Sequence, residues 1–285
     1  MGRLLLCTDL DRTLLPNGTQ PESNMARHRF ANLAKHPDVT LAYVTGRHDA
    51  LVKEAIKHYH LPQPKYVICD VGSTIYQLSN DIWQRWQTWE AAIDSDWRGK
   101  SHDDLHKLTE DFKELSQQEP HKQNKHKLSY FVPLDVDRAN LVKQLHQRFI
   151  ENRIKTHIIW SIDEQANIGL LDVLPEQAGK RQAIEFLMEK LGYQLDQVVF
   201  AGDSGNDISV MASPIQSIVV ANATDDVKTE ALKIAQQNNQ LNSIYIAKGN
   251  FLNMNGNYSG GILEGVVHYI PMAINWINDD DESIY

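Results

Sequence analysis

The sequence predicts an α/β fold, a doubly wound parallel sheet carrying an inserted α+β segment. Three observations predict it. Short apolar runs alternate with helix-length amphipathic stretches near both ends of the chain, which is the pattern of βαβ units. The runs are continuous instead of alternating with polar residues, as in strands buried on both faces. The pattern breaks near residue 80 and resumes after Pro175. The expected organisation is a core from residues 1–80 and 174–285, with 81–173 as the insertion.

The elements follow in order. Leu4–Thr8 is a buried strand, and a loop with Pro16, Gly18 and Pro21 comes next. Arg27–Lys35 reads as a helix with Phe30, Leu33 and Ala34 on one face. Val39–Thr45 and Tyr66–Asp70 are strands around a helix at Asp49–His58. Helical crossovers make such strands parallel and right-handed. In the insertion, Trp83, Trp86 and Trp89 are spaced by three, as on one helical face packing against an inserted sheet. A polar helix is expected over Asp103–Gln117, ended by Pro120. Leu128–Val132, Ile154–Ser161 and Leu170–Leu174 read as strands, and Ala139–Glu151 as a helix. The βαβ pattern returns with a helix at Lys180–Leu191 and a strand at Val198–Ala201. A helical start at Asp207–Ala212 and a strand at Ser217–Val220 complete it.

Composition narrows the class of function. The 285 residues carry 28 basic and 37 acidic groups, a net charge of −9. That balance argues against a nucleic-acid partner. Hydrophobic residues at 42% and charged residues at 23% suit a soluble globular protein. Cys7 and Cys69 lie in strand-like apolar runs and read as buried free thiols. The apolar run before Asp9 is too short for an export signal. No stretch approaches the ~18 apolar residues of a membrane span. A cytoplasmic protein without a membrane partner is expected. Asp279–Glu282 reads as a solvated tail. His121 and His126 lie among lysines without the spacing of a zinc site.

Four features carry chemistry. Asp9 and Asp11 directly follow the first buried strand, and ligands of open parallel sheets bind at the carboxyl ends of strands. Two carboxylates there repel unless a cation neutralises them, and magnesium prefers hard oxygen ligands. A capped polar turn would also explain this spacing. The second feature, Gly202-Asp203-Ser204-Gly205-Asn206-Asp207, again puts acids just past a buried strand. Convergence of separate strand ends would let Asp9 and Asp203 share one cation. Thr45-Gly46-Arg47 ends the second strand and offers a hydroxyl and backbone N–H groups to an anion. Lys180 opens a helix and can give a point charge to a phosphate. Each of these last two is also compatible with an ordinary turn or a solvated lysine.

The order strand-Asp-x-Asp-x-Thr, strand-Thr-Gly, Lys, strand-Gly-Asp-x-x-Asn-Asp resembles the haloacid dehalogenase (HAD) superfamily of phosphatases. The insertion resembles the α/β cap of one of its subclasses. Val71–Tyr76, His126–Tyr130, Leu171–Pro175 and Gly260–Glu264 look like segments of sucrose-6-phosphate phosphatases, although Thr74 stands where that family usually has Glu.

The resemblance implies a Mg²⁺-dependent phosphatase forming an aspartyl-phosphate on Asp9, with Asp11 as acid and then base. It implies magnesium held by Asp9, the Asp11 carbonyl and Asp203, with Asn206 and Asp207 orienting the ligands and Lys180. Thr45, Gly46 and Lys180 would hold the phosphoryl oxygens. Arg47 would extend that site or form a structural ion pair. Lys127, Ser129 and Asp172 would meet the sugar, or be a solvated lysine and strand residues. The implied substrate is a small phosphorylated sugar, first of all sucrose 6-phosphate. Alternatives are another phosphorylated disaccharide or glycoside, such as mannosylfructose phosphate, a phosphomutase, or a non-catalytic sugar-phosphate binder. A glycosyltransferase is the implied protein partner.

Overall fold

The computed structural model describes residues 2–80, 82–163 and 166–277. The strands are β1 (Leu4–Thr8), β2 (Val39–Val44), β3 (Tyr66–Cys69), β4 (Thr74–Ser79), β5 (Ile82–Arg85), β6 (Ser116–Gln117), β7 (Leu128–Val132), β8 (Thr156–Asp163), β9 (Ile168–Pro175), β10 (Val198–Gly202), β11 (Gln216–Val219) and β12 (Ile244–Ile246). The helices are α1 (Ala26–Lys35), α2 (Asp49–His58), α3 (Gln87–Trp97), α4 (His102–His106), α5 (Arg138–Glu151), α6 (Lys180–Leu191), α7 (Ile208–Met211), α8 (Asp225–Gln237), α9 (Tyr258–Tyr269) and α10 (Ile274–Ile277).

Eight strands form one sheet in the order β12-β11-β10-β1-β2-β3-β4-β5. The strands from β12 to β3 pair in parallel. The continuous apolar run of β1 has a direct cause. Leu4 and Leu6 pack with Phe30 and Leu33 of α1 and Ile262 and Val266 of α9. Leu5 and Cys7 point the other way, among Ala183, Ile184 and Leu187 of α6. With helices on both faces, no polar alternation is needed, and each buried leucine contributes about 1.5–3 kcal/mol. Cys7 and Cys69 are buried and free. Sequence order reverses across β1 and β10, which makes their carboxyl ends the switch point of the sheet.

The second sheet runs β6-β7-β9-β8 and is antiparallel. Its apolar face, with Leu128, Tyr130, Val132, Leu171 and Val173, packs on Leu141, Leu145 and Phe149 of α5. Strand alternation sends Ser129 and Asp172, paired across β7 and β9, to the opposite face. Glycine is required where the main chain passes close to itself. Gly72 has φ 104°, and a Cβ there would lie 2.2 Å from the carbonyl carbon of Gly179.

Two sequence expectations are corrected. The tryptophans do not share a helical face. Trp83 lies in β5, which pairs antiparallel with β4, while Trp86 precedes α3 and Trp89 lies within it. Trp83 stacks edge-on with Tyr76, and Trp86 and Trp89 pack against Phe186 of α6, so they cover the large sheet. Nor is Asp103–Gln117 one helix. A capping box between Ser101 and Asp104 starts α4, and the Thr109 hydroxyl donates to the His106 carbonyl at 2.9 Å just past its end. Arg148 then donates to the Leu108 carbonyl and the Asp111 carboxylate, and Ser116–Gln117 pairs as a strand with β7. No helix among the described residues is long and apolar enough to cross a membrane. The acidic segment Asp279–Glu282 lies outside the described residues.

Candidate active site

Parallel pairing of β1 with β10 brings Asp9 and Asp203 to one sheet edge. The Asp9 N–H donates to the Ala201 carbonyl at 2.8 Å and extends the ladder past β1. Oxygen atoms of Asp9, Asp203 and Asp207 lie within 4.8 Å of one another, and all three residues are buried. Lys180, at the start of α6, points into this group from below. Its ammonium donates to Asp9 Oδ1 at 2.9 Å and to Asp207 Oδ1 at 2.7 Å, with no exposed surface. The other Asp207 oxygen accepts from the Asp203 and Ser204 N–H groups, each at 3.1 Å.

Two cations face these three carboxylates, the Lys180 ammonium and the Arg12 guanidinium, whose Nε lies 3.6 Å from Asp203 Oδ2, so one negative charge is left over. Burial pushes the Asp9 carboxyl well above the ordinary range. Lys180 opposes that shift, while Asp207, Asp203 and Asp11 add to it. Burial, then the charge of Asp207, pushes Asp203 up to about 7. Burial disfavours the Lys180 ammonium, but Asp207 and Asp9 outweigh it and hold the charge in place. Two ionised carboxylates at this spacing repel by about 3 kcal/mol at a protein-like dielectric. A buried all-oxygen set with surplus negative charge fits a small divalent cation. Asp9 and Asp203 suit it best, since both oxygens of Asp207 already accept hydrogen bonds.

The turn after β1 is fastened from several sides. Arg12 adopts the left-handed region, with φ 58°. Its N–H donates to Asn17 Oδ1 at 2.8 Å, and its carbonyl accepts from the Asn222 amide at 2.6 Å. The Asn222 oxygen accepts from the Tyr258 N–H at 2.9 Å. The Tyr258 hydroxyl donates to the Gln20 carbonyl at 3.1 Å. The Thr13 hydroxyl, held on this turn, donates to Asp203 at 2.9 Å. Sequence reasoning missed Asn17, Asn222 and Tyr258. Asn222 sits just beyond β11, and that strand-end position was the signal available.

Asp11 lies above Asp9 in a different setting. Arg47 donates to both of its oxygens, and Asn17 donates to one. Burial raises the Asp11 carboxyl, but the Arg47 hydrogen bond and charge outweigh it and leave a net lowering. Of the two readings of Arg47, the structure therefore displays the ion pair. Thr45 is fully buried, and its hydroxyl accepts from the Arg47 N–H at 3.2 Å. Gly46 and Arg47, not Thr45, line the space above.

That space is a cavity of about 1060 Å³ between the two sheets. Asp9, Asp11, Asp203 and Asn206 form its floor, and Lys127 and Asp172 reach it from the second sheet. Ser129 lies beneath the cavity surface and donates to Asp172 Oδ1 at 2.5 Å. The Lys127 ammonium lies 3.5 Å from the same oxygen and donates to the Lys122 carbonyl at 2.9 Å. The sequence-predicted residues thus fall into two groups that face each other, with Thr45, Ser129 and Lys180 behind the surface.

Comparison with known proteins places this geometry in a family. The sucrose-6F-phosphate phosphohydrolase profile matches residues 2–270. A protein of Nitrosococcus oceani named only as a HAD-like hydrolase is 48% identical over 99% of this chain and 76% of its own length. Sucrose-phosphatase 2 of Nicotiana tabacum is 30% identical over 79% of this chain, and the match spans 52% of the tobacco enzyme. The sucrose-phosphatase of Synechocystis, solved with sucrose and phosphate, superposes with a TM-score of 0.75 at 25% identity, covering 95% of this chain and 99% of that one. The chain belongs to the sucrose-6F-phosphate phosphohydrolase family, phosphoric monoester hydrolases built on the HAD fold with a cap.

Proposed function

We propose that the protein hydrolyses a phosphorylated sugar, first of all sucrose 6-phosphate, with Asp9 as nucleophile. One observation carries the reading. Asp9 is a buried carboxylate held by Lys180 at the floor of a cavity large enough for a disaccharide, with Asp11 above it. An Asp9 oxygen attacks phosphorus, and the bond from phosphorus to the sugar oxygen breaks. Asp11 gives that oxygen its proton. It then takes a proton from the water that attacks the aspartyl-phosphate, and phosphate and regenerated Asp9 result. Lys180 fixes the Asp9 carboxylate. Gly46, Arg47 and Asn206 line the space for the phosphoryl oxygens, and charge there stabilises the transition state. Asp9, Asp203 and the Asp11 carbonyl would hold magnesium, which supplies positive charge against carboxylate and phosphoryl oxygens. Asp207 keeps Lys180 and the Asp203 loop in place.

The test is Asp9→Asn. Phosphate release from sucrose 6-phosphate should fall by at least ~10³-fold. Ordinary turnover by that variant on every phosphomonoester tried would refute the mechanism. A second reading has its own support. Glucosylglycerol-phosphate synthase of Pseudomonas anguilliseptica is 28% identical over 93% of this chain, which corresponds to 31% of the synthase. That likeness favours a phosphorylated glycoside as the alternative substrate and a glycosyltransferase as a partner. A panel of sugar phosphates ranked by kcat/KM separates the readings.

A further inference from the structure

A third carboxylate stands at a strand end and is used by nothing above. Asp70 follows β3, lines the cavity, and is 7% exposed. We propose that Asp70, with Lys127 and Asp172, seats hydroxyl groups of the leaving sugar, so that Asp70 selects among sugar phosphates. The inference rests on the phosphatase reading above and extends it to the part of the substrate that carries no phosphate.

The backbone shows that Asp70 is placed at a cost. Asp70 and the following Val71 both lie in the left-handed region, with φ 54° and 60°. A residue with a Cβ enters that region only at a cost, and such strain persists only where surrounding bonds hold it. Those bonds tie Asp70 to the anion loop. The Asp70 N–H donates to the Arg47 carbonyl, and the Val71 N–H donates to the Thr45 carbonyl, each at 3.0 Å. The Ser73 hydroxyl donates to the Asp70 carbonyl, and Asn124, across from the large sheet, donates to the Ser73 hydroxyl. A group held by Asp70 is thereby held relative to Thr45, Gly46 and Arg47.

The surroundings of the side chain also point to a ligand. Among the described residues, Asp70 has no cation within ion-pair distance. Lys127 and His48 act on it as charges, and the Asn124 and Thr74 side chains lend it hydrogen bonding. A buried carboxylate without a close cation needs donors. Lys127, itself 5% exposed, spends one N–H on the Lys122 carbonyl and faces Asp172 at 3.5 Å. An ammonium has three donors and a carboxylate only acceptors, whereas a hydroxyl both donates and accepts. Adjacent sugar hydroxyls can bridge this set, donating to Asp70 or Asp172 and accepting from Lys127.

The experiment compares sucrose 6-phosphate with p-nitrophenyl phosphate, whose leaving group has no sugar hydroxyls. In Asp70→Asn, the ratio of kcat/KM for the sugar ester to that for the aryl ester should fall about tenfold, chiefly through KM. Lys127→Met should lower the same ratio and serves as the second variant if Asp70→Asn does not fold, as judged by circular dichroism. An unchanged ratio, with both esters equally impaired or neither affected, overturns the proposal and leaves the phosphatase reading standing. A wild-type protein inert towards both esters overturns the reading itself, and the proposal with it.

Discussion

Arg47 grips Asp11 by both carboxylate oxygens, with Nε to Oδ2 at 2.7 Å and Nη2 to Oδ1 at 2.6 Å. A carboxylate held in this way stays ionised, while the proposed acid role needs a proton on it. Both groups line the cavity, so an arriving phosphoryl dianion competes with Asp11 for the guanidinium. Arg47→Ala is therefore expected to raise KM for the phosphoester and Ki for inorganic phosphate by about tenfold each, the equivalent of ~1.4 kcal/mol of anion binding. Steady-state kinetics with phosphate inhibition checks this. Unchanged KM and Ki with a lowered kcat would show that Arg47 serves Asp11 alone.

Asp9→Asn should separate stability from activity. Asp9 shares the Lys180 ammonium with Asp207 and lies in one buried cluster with Asp203, which Arg12 faces at 3.6 Å, so removing the Asp9 charge relieves repulsion with Asp203 and Asp207. The metal-free variant should melt no lower than wild type while losing turnover. Adding millimolar Mg²⁺ should raise the melting temperature of wild type, because a ligand that binds only the folded state stabilises it. The rise should shrink in Asp9→Asn and vanish in Asp203→Asn. Differential scanning calorimetry with and without chelator reads all three. Equal rises in every variant would place the ion elsewhere.

The acids of this site were legible because continuous apolar runs end abruptly at Asp9 and Asp203, and parallel winding makes such ends converge. Lys127 and Asp172 were reached by resemblance, and their facing of the floor depends on how the two sheets pack. The contact of Asn222 with Arg12 joins residues 210 apart, and no local periodicity encodes it. The tryptophan spacing misled because 83, 86 and 89 fall on a strand, a connection and a helix, so one period of three spans three elements. The buried hydroxyl of Thr45 was likewise invisible, since only the fold shows that the Arg47 N–H takes it.

Lys180→Met should destabilise the protein strongly. The ammonium is fully buried, and its loss leaves Asp9 and Asp207 as uncompensated buried charges. Breaking a buried pair in this way costs about 3–5 kcal/mol. Urea unfolding should show a lower midpoint with the same slope. Adding Asp207→Asn to Lys180→Met should recover part of the loss, because it removes one orphaned charge. Strict additivity in this double-mutant cycle would mean that the two residues do not interact.

Asn222→Ala is expected to impair catalysis from outside the cavity. Both ends of its amide are bound, one to the Arg12 carbonyl and one to the Tyr258 N–H. The turn it holds carries Thr13, which donates to Asp203, and Asn17, which donates to Asp11. Losing two buried hydrogen bonds costs about 2–4 kcal/mol where the partners stay unsatisfied. kcat should fall by at least ~10-fold with KM little changed, and amide hydrogens of residues 12–20 should exchange faster. Tyr258→Phe removes only the bond to Gln20 and should do less. Unaltered exchange in that segment would exclude this positioning role.

His126 should give the fold a measurable sensitivity to mild acid. Its ring is buried and donates from Nε2 to Asp94 Oδ1 at 2.8 Å, and Asp94 also pairs with Lys125 at 2.6 Å. Burial lowers the His126 pKa below its ordinary 6.5, and the Asp94 contact only partly restores it. Hydrogen bonds from Lys125 and then His126 lower Asp94 as well. Both groups bind fewer protons folded than unfolded, so stability rises with pH. The histidine contribution is complete above about 6.5 and is lost as pH falls through the lowered folded value. Urea midpoints of wild type should therefore drop between pH 7.5 and 5.5 more steeply than those of His126→Gln. Because the other histidines are common to both proteins, parallel pH slopes would remove His126 as the cause.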